Sequence, residues 1–507
     1  MARFFVAALS VFLLVSPVLA RADAVSDRQI IDVLNRIALG PTRRDVDHVR
    51  RIGIDRYIAE QLDPASLPEP AALTQRLASL DTLKLDPSKL FAEYGPPLAG
   101  MGGPVTEETQ EARMKRADTM LQQERAARIY RALYSPRQLQ EAMVDFWFNH
   151  FNVNAYDGYD QLWIGNYEEA AIRPHALGHF RDLLLATAHH PAMLYYLNNE
   201  SNTAPGSANA QGLFAGLNEN YARELMELHT LGVDGGYTQE DVTTLARILT
   251  GWGFDYHNLS VGSGSAFSFD AARHDAGDKI FLGHRIPAGG EEQGVAAIDI
   301  LARSPATAHH LAFELAQYFV ADNPPSGLVD RLAKRFLDSD GDIKAVMADL
   351  LSSREFRDSA GQKYKTPYQY VLSAVRAAGV EVDNPEPLSG AMALLGMPLY
   401  LCPTPDGYKN IEEEWLGPSA TASRTDFAVF VGSGAFRRYA APSPGLTAQL
   451  VANSSAPGAA QTAPVDAAPL EALLAPILSD NTRATVAEAQ AGLKAALILG
   501  SPDFMRR

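Results

Sequence analysis

The chain has 507 residues, 47% of them hydrophobic and 21% charged, which is enough for a large core and one to three domains. A net charge of -16 with no basic tract disfavours nucleic acid and anionic membrane surfaces as partners. The single cysteine, Cys402, excludes an internal disulfide, a cysteine-based zinc site and an iron–sulfur cluster.

The first residues, "MARFFVAALSVFLLVSPVLARADA", read as a secretory signal over 1–22. Arg3 supplies the charged start, the apolar run from Phe4 to Val15 is short for a membrane span, and small residues near Ala20–Ala22 offer a cleavage site. The expectation is a periplasmic or secreted protein whose mature chain has no membrane span.

Helical signals dominate the rest of the chain, in a main domain expected over 23–442. "SDRQIIDVLNRIAL" begins with Ser26 as an N-cap, and "PTRRDVDHVRRIG" pairs Thr42 with Asp45 and stops at Gly53. Residues 63–105 are rich in Pro and Gly and read as irregular, with a helix available at 70–80. A long charged helix fits Thr106–Tyr134, and Pro136 opens one that ends in aromatics. Further helices fit 176–198, 218–231, 238–250, 306–321, 325–337, 342–354 and 364–379. Phe267–Ile286 alternates and turns like a small β-hairpin or looped excursion. The fold class is therefore mostly α, a multi-helix globular array with one minor β element. Residues 443–468 are rich in Ala, Pro and Ser and read as a flexible insertion. Helices resume over 469–507 and are expected to pack back on the main domain.

Three segments could carry chemistry. In "NENYARELMELHTLGVDGGYTQEDV", Asn220, Arg223, Glu224 and Glu227 fall on one helical stripe, with His229 nearby. The plain reading is a solvated stripe with an Arg223–Glu227 pair. The sharper one is a cleft wall, with Glu224 and Glu227 as acid and base or as metal ligands, Arg223 setting their charge and Asn220 binding substrate. In "FWFNHFNVNAYDGYD", His150 is either a satisfied core histidine or a catalytic acid, base or ligand, with Asn149 beside it to bind substrate. In "RHDAGDKIFLG", His274, Asp275 and Lys279 crowd one loop. They make either a polar turn or two catalytic groups with a substrate-binding lysine. The adjacent pairs His189–His190 and His309–His310 point about 100° apart on a helix, so they read as structural or surface. No HExxH, nucleophile elbow, Walker loop or dinucleotide fingerprint is present. The cofactor is therefore open; a divalent metal fits the residue types, but no motif indicates one.

These segments, with "DVLNRIALGPTRRDV", "IRPHALGHFRDLLLATAHHPAMLYYLNN", "ARILTGW" and the closing "LGSPDFMRR", resemble the bacterial domain-of-unknown-function family 1800 across nearly the whole mature chain. The resemblance implies export and a partner of the sulfatase-like family 1501, and it implies no reaction. The family commonly has an aromatic where His229 stands, and Gly-Trp where this chain has Gly407-Tyr408.

Two readings of function stand side by side. One is an exported hydrolase or lyase that acts on an envelope or extracellular polymer through a carboxylate/His site. Asp275 is the better distant partner for glycoside chemistry, because Glu224 and Glu227 are only one turn apart. The other is a non-enzymatic exported scaffold or assembly partner of a family 1501-like protein, in which the stripe is a buried ion-pair network. An open cleft where the three segments converge would favour the first; a closed network would favour the second.

Overall fold

A computed structural model describes residues 26–95, 107–263, 266–436 and 463–507. Residues 1–22, read above as a secretory signal, and most of the expected insertion at 443–468 lie outside the described residues. No described helix is long and apolar enough to cross a membrane.

The fold is mostly α. Its helices start where short polar side chains can satisfy the unpaired first-turn amides. Ser26 and Gln29 form a reciprocal capping box at Asp27–Ile37, and Thr238 and Asp241 form another at Gln239–Ile248. Gly53 ends Arg43–Ile52 with φ 87°, in the left-handed region open to glycine. Within the stretch read as irregular, Asp86 caps an additional helix, Pro87–Tyr94.

The expected helix over 176–198 is two helices. Phe180–Ala188 ends, and His190 then turns its Nδ1 back to cap Pro191–Tyr196. Pro191 has no amide hydrogen for a continuous helix and sits comfortably in the first turn of a new one. The excursion at 267–286 contains a hairpin, Lys279–Phe281 against His284–Ile286. It also contributes Ser268–Phe269, which pairs with Trp252–Gly253.

One hydrophobic core runs from Ile30 to Met505. The closing helices Ala467–Leu474, Asp480–Glu488 and Ala491–Leu499 contribute Leu470, Leu474, Val486, Ile498 and Leu499 to it. The end of the Ala/Pro/Ser-rich stretch already belongs to this packing. Val465 and Ala467 are buried, and the Val465 amide donates to the Gly432 carbonyl at 2.9 Å.

Beneath the candidate site lies a buried ionic lattice. Arg128, on the long helix Glu107–Tyr134, donates to Asp145 at 2.7 Å and to Glu168 at 3.0 Å. Arg173 donates to Glu141 at 2.6 Å and to Glu168 at 2.9 Å. Glu168 lies in a π-helical turn, Tyr167–Ile172, and also accepts from the Tyr400 hydroxyl at 3.0 Å. Burial raises the Glu168 carboxyl, but Arg128 and Arg173 outweigh it and hold the group below its usual range.

Candidate functional site

The helix Gln138–His150 delivers His150 at its last position, against the helix Pro305–Phe319. The His150 side chain is 2% exposed. Its Nδ1 lies 2.7 Å from Glu314 Oε2, and its Nε2 lies 3.2 Å from the carbonyl oxygen of His229. Both neighbours are hydrogen-bond acceptors, so a ring nitrogen that carries a proton donates to the oxygen it faces. Burial raises the Glu314 carboxyl, but His150, His310 and Lys409 together pull it below its ordinary value. Glu314 is thus an ionised carboxylate held against a buried imidazole, with its own side chain 31% exposed.

This pair lies in the wall of a cavity of about 360 Å³. The Gln138–His150 helix contributes Asn149, and the Asn220–Glu227 helix contributes Glu227. His310 comes from the same helix as Glu314, one turn earlier, and donates from Nε2 to the Leu228 carbonyl at 3.1 Å. Asp406, Tyr408, Lys409 and Asn410 form the opposite wall.

That wall is a loop held by side chains rather than by regular secondary structure. Asn149 donates from Nδ2 to the Tyr408 carbonyl at 2.9 Å and accepts from the Tyr408 amide at 2.8 Å. Asn152 donates to the carbonyls of Cys402 and Thr404. Lys363 reaches the Asn410 carbonyl, and Trp415 donates to the Lys409 carbonyl. Gly407 has φ 65°, and a Cβ there would lie 2.3 Å from the Asn149 carbonyl oxygen. Only glycine lets the loop approach so closely.

The stripe on Asn220–Glu227 divides. Arg223 pairs with Glu219 at 3.3 Å and with Glu227 at 3.5 Å and donates to Gln239, all in a partly exposed setting. Asn220 is exposed and donates to the Leu197 carbonyl. These two follow the plain reading of a wet surface pair. Glu227 turns into the cavity wall. Glu224 makes no ion pair among the described residues. Burial raises its carboxyl first, then Glu227 and Asp406 raise it further against Arg223. The opposite face, with Tyr221 and Leu225, is buried.

The third segment does not join the site. His274 is enclosed, with Nδ1 2.8 Å from the Thr250 carbonyl oxygen and Nε2 3.2 Å from Gln293 Oε1. Lys279 is buried and donates to the carbonyls of Asp275 and Gly277 and to Gln293. Asp275 accepts from Arg247 at 2.7 Å. His274, Asp275 and Lys279 line no part of the cavity. Thr250, Gln293, Arg247 and the carbonyls of the polar turn satisfy them, so the expected convergence of three segments is a convergence of two. Asn149 also changes role: both ends of its amide hold Tyr408, which leaves it a loop clamp rather than a substrate contact.

Sequence reasoning missed Glu314, His310 and the 406–410 wall. His309 and His310 differ sharply: His309 is 60% exposed, whereas His310 faces Glu314 at 3.6 Å. His189 and His190 are structural, and burial lowers them to about 4 and about 3. His229 is buried, its Nε2 has no hydrogen-bond partner among the described residues, and burial, followed by His150 and His310, keeps it well below the usual histidine range. Among the described residues, no group of three or more His, Cys, Asp or Glu side chains is placed to hold a metal ion.

The chain matches the sequence profile described as "Protein of unknown function (DUF1800)" over residues 32–506, and it belongs to that family. No curated protein and no solved structure matches it.

Proposed function

We propose that this family member is an acid–base enzyme, a hydrolase or lyase, working in the cleft between Glu314 and the 406–410 wall. Its substrate is a polysaccharide of the cell envelope or extracellular space. The observation that carries the reading is the Glu314 carboxylate, which meets a buried imidazole at 2.7 Å while facing a cavity. A purely structural ion pair gains nothing from such a cavity, whereas a base needs access to the proton it removes.

Two carboxyls, Glu314 in the cavity wall and Glu224 on the helix that carries Glu227 to it, are pushed in opposite directions. Glu314 is held low by His150, His310 and Lys409, and Glu224 is raised by burial and by Glu227 and Asp406. Opposed shifts of this kind separate a base from an acid. Glu314 takes the proton, from water in hydrolysis or from carbon in elimination. Glu224, one helical turn before Glu227 and near enough to Asp406 for that charge to raise it, gives one to the departing sugar oxygen. His150 acts through Glu314 by fixing its position and charge, and Glu227 with Lys409 binds the substrate's hydroxyl groups. The scaffold alternative needs a sealed network here, and the cavity is an observation against it.

The test is reducing-end release from a panel of envelope and extracellular polysaccharides. Glu314→Gln and Glu224→Gln should each cut turnover by about 100-fold or more while the protein stays folded. Wild-type turnover by either variant, or no turnover by the wild type on any of these polymers, overturns the proposal.

A further inference from the structure

Away from the cleft, Asp160 opens the helix Asp160–Asn166. Its residue is 0% exposed, and neither carboxylate oxygen has a hydrogen-bond partner among the described residues. Glu200, in the short turn Asn199–Ser201, also has a buried oxygen, Oε2, without such a partner. A buried carboxylate left this way is strongly unfavourable unless something neutralises it. Orphaned polar atoms of this kind mark a missing proton, water or ion.

The described surroundings supply no positive charge to Asp160. Besides burial, the groups acting on it are Asp157 and Glu200, both acidic. Arg273 acts on Glu200, but its Nε is bonded to Asp270 and its Nη1 to the Glu200 backbone carbonyl. Tyr195 closes over the same loop: a Cβ on Gly158, at φ 48°, would lie 2.3 Å from the Tyr195 hydroxyl oxygen.

We infer that Asp160 and Glu200 together bind a hard divalent cation of the calcium type. The charge sets the valence, because Arg273 acts on Glu200 alone and leaves Asp160 uncompensated, and a doubly charged ion suits two carboxylates that each keep a buried, unpartnered oxygen. The donors fix the class, because they are all oxygens. Among the described residues, no third acidic or imidazole side chain is grouped with them. The rest of the coordination shell therefore comes from neutral oxygens and water, which calcium accepts in irregular geometry and magnesium does not. The ion ties the 157–160 loop to the 199–201 turn. The 157–160 loop continues from the segment in which Asn152 and Ala155 hold residues 400–404, so the ion also braces the loop that forms the cavity wall.

The test uses the full mature protein after treatment with a chelator. Calcium chloride at about 5 mM, above the affinity range of weak extracellular sites, should raise the melting temperature by at least about 2 °C. Elemental analysis after gel filtration in calcium should find about one ion per chain. Asp160→Asn should abolish the response and, in chelator, should melt no lower than the wild type. If that variant fails to fold, Glu200→Gln and the metal content of the wild type decide. A wild type that neither retains calcium nor responds to it overturns the inference. So does a full response in Asp160→Asn, or an equal rise with choline chloride at matched ionic strength. Cleavage activity is not measured in this experiment, so its outcome is independent of the role given to Glu314.

Discussion

Asn149 and Tyr408 are 259 positions apart in the sequence and share two hydrogen bonds, amide side chain to backbone, at 2.9 and 2.8 Å. The pair copies the exchange between neighbouring β-strands and fixes the wall that carries Asp406 and Lys409. Asn149→Ala removes both bonds and leaves a part-buried amide and carbonyl facing a gap. The expected cost is about 1–3 kcal/mol. Amide hydrogen exchange should show the loss concentrated in residues 404–410, because the clamp acts on one loop. Exchange that rises uniformly over the whole chain contradicts the clamp.

The Glu314 carboxyl is depressed in the folded state relative to its ordinary value of 4.5. A depressed carboxyl stabilises the fold above its unfolded value, and that stabilisation is lost as pH falls through the lower folded value. Melting curves from pH 7 down to about pH 3 should therefore show an acid limb that is shallower in Glu314→Gln than in the wild type. Parallel limbs would mean that the charge of Glu314 is not coupled to folding.

Glu124 presents the reverse case. It is 2% exposed, its Oε2 has no partner among the described residues, and burial raises its carboxyl well above the ordinary value. The folded state then holds the proton more tightly than the unfolded state. Stability is favoured at low pH and is lost as pH rises from about 4.5 upward. Glu124→Gln keeps the acceptor facing the Gly165 amide and removes the charge. The variant should match or exceed wild-type stability at pH 8, with an advantage that shrinks toward pH 4. A variant equally destabilised at both pH values would refute the account.

Arg128 serves two buried carboxylates, Asp145 and Glu168, and packs its guanidinium over Phe148, Tyr368 and Tyr400. Arg128→Met keeps much of the volume and strands both acids. Breaking a buried pair in this way costs about 3–5 kcal/mol, read as a shift in the denaturant midpoint. Arg128→Lys should recover only part of the loss, because an ammonium does not span both partners as a planar guanidinium does.

The charged start, short apolar run and small residues at 18–22 lead us to expect a mature chain beginning near Arg21 or Asp23 and found outside the cytoplasm. Intact-protein mass spectrometry of the native product measures this directly, and a product still carrying Met1 refutes it.

What the sequence determined by itself was local. Ser26 and Thr42 announced their helices, because a cap and the amide it accepts from lie three residues apart. The alternation within Phe267–Ile286 announced the hairpin. The 3.6-residue period put Arg223 and Glu227 on one stripe, and they do pair. Only the tertiary structure decided which polar groups became a site. His309 and His310 look alike in the sequence, yet one meets solvent and the other meets Glu314. Glu314 is a single acid in the apolar run "HLAFELAQYF" and has no motif around it; it became conspicuous only when His150, 164 positions earlier, was placed against it. The loop at His274 looked catalytic because its residues are reactive types, and it proved saturated because Thr250, Gln293, Arg247 and the turn's own carbonyls supply its partners. Helical period and capping act within a few residues and are written in the chain. Burial, ionisation and access to a cavity depend on which distant helix covers which face, and that is set only when the whole core has packed.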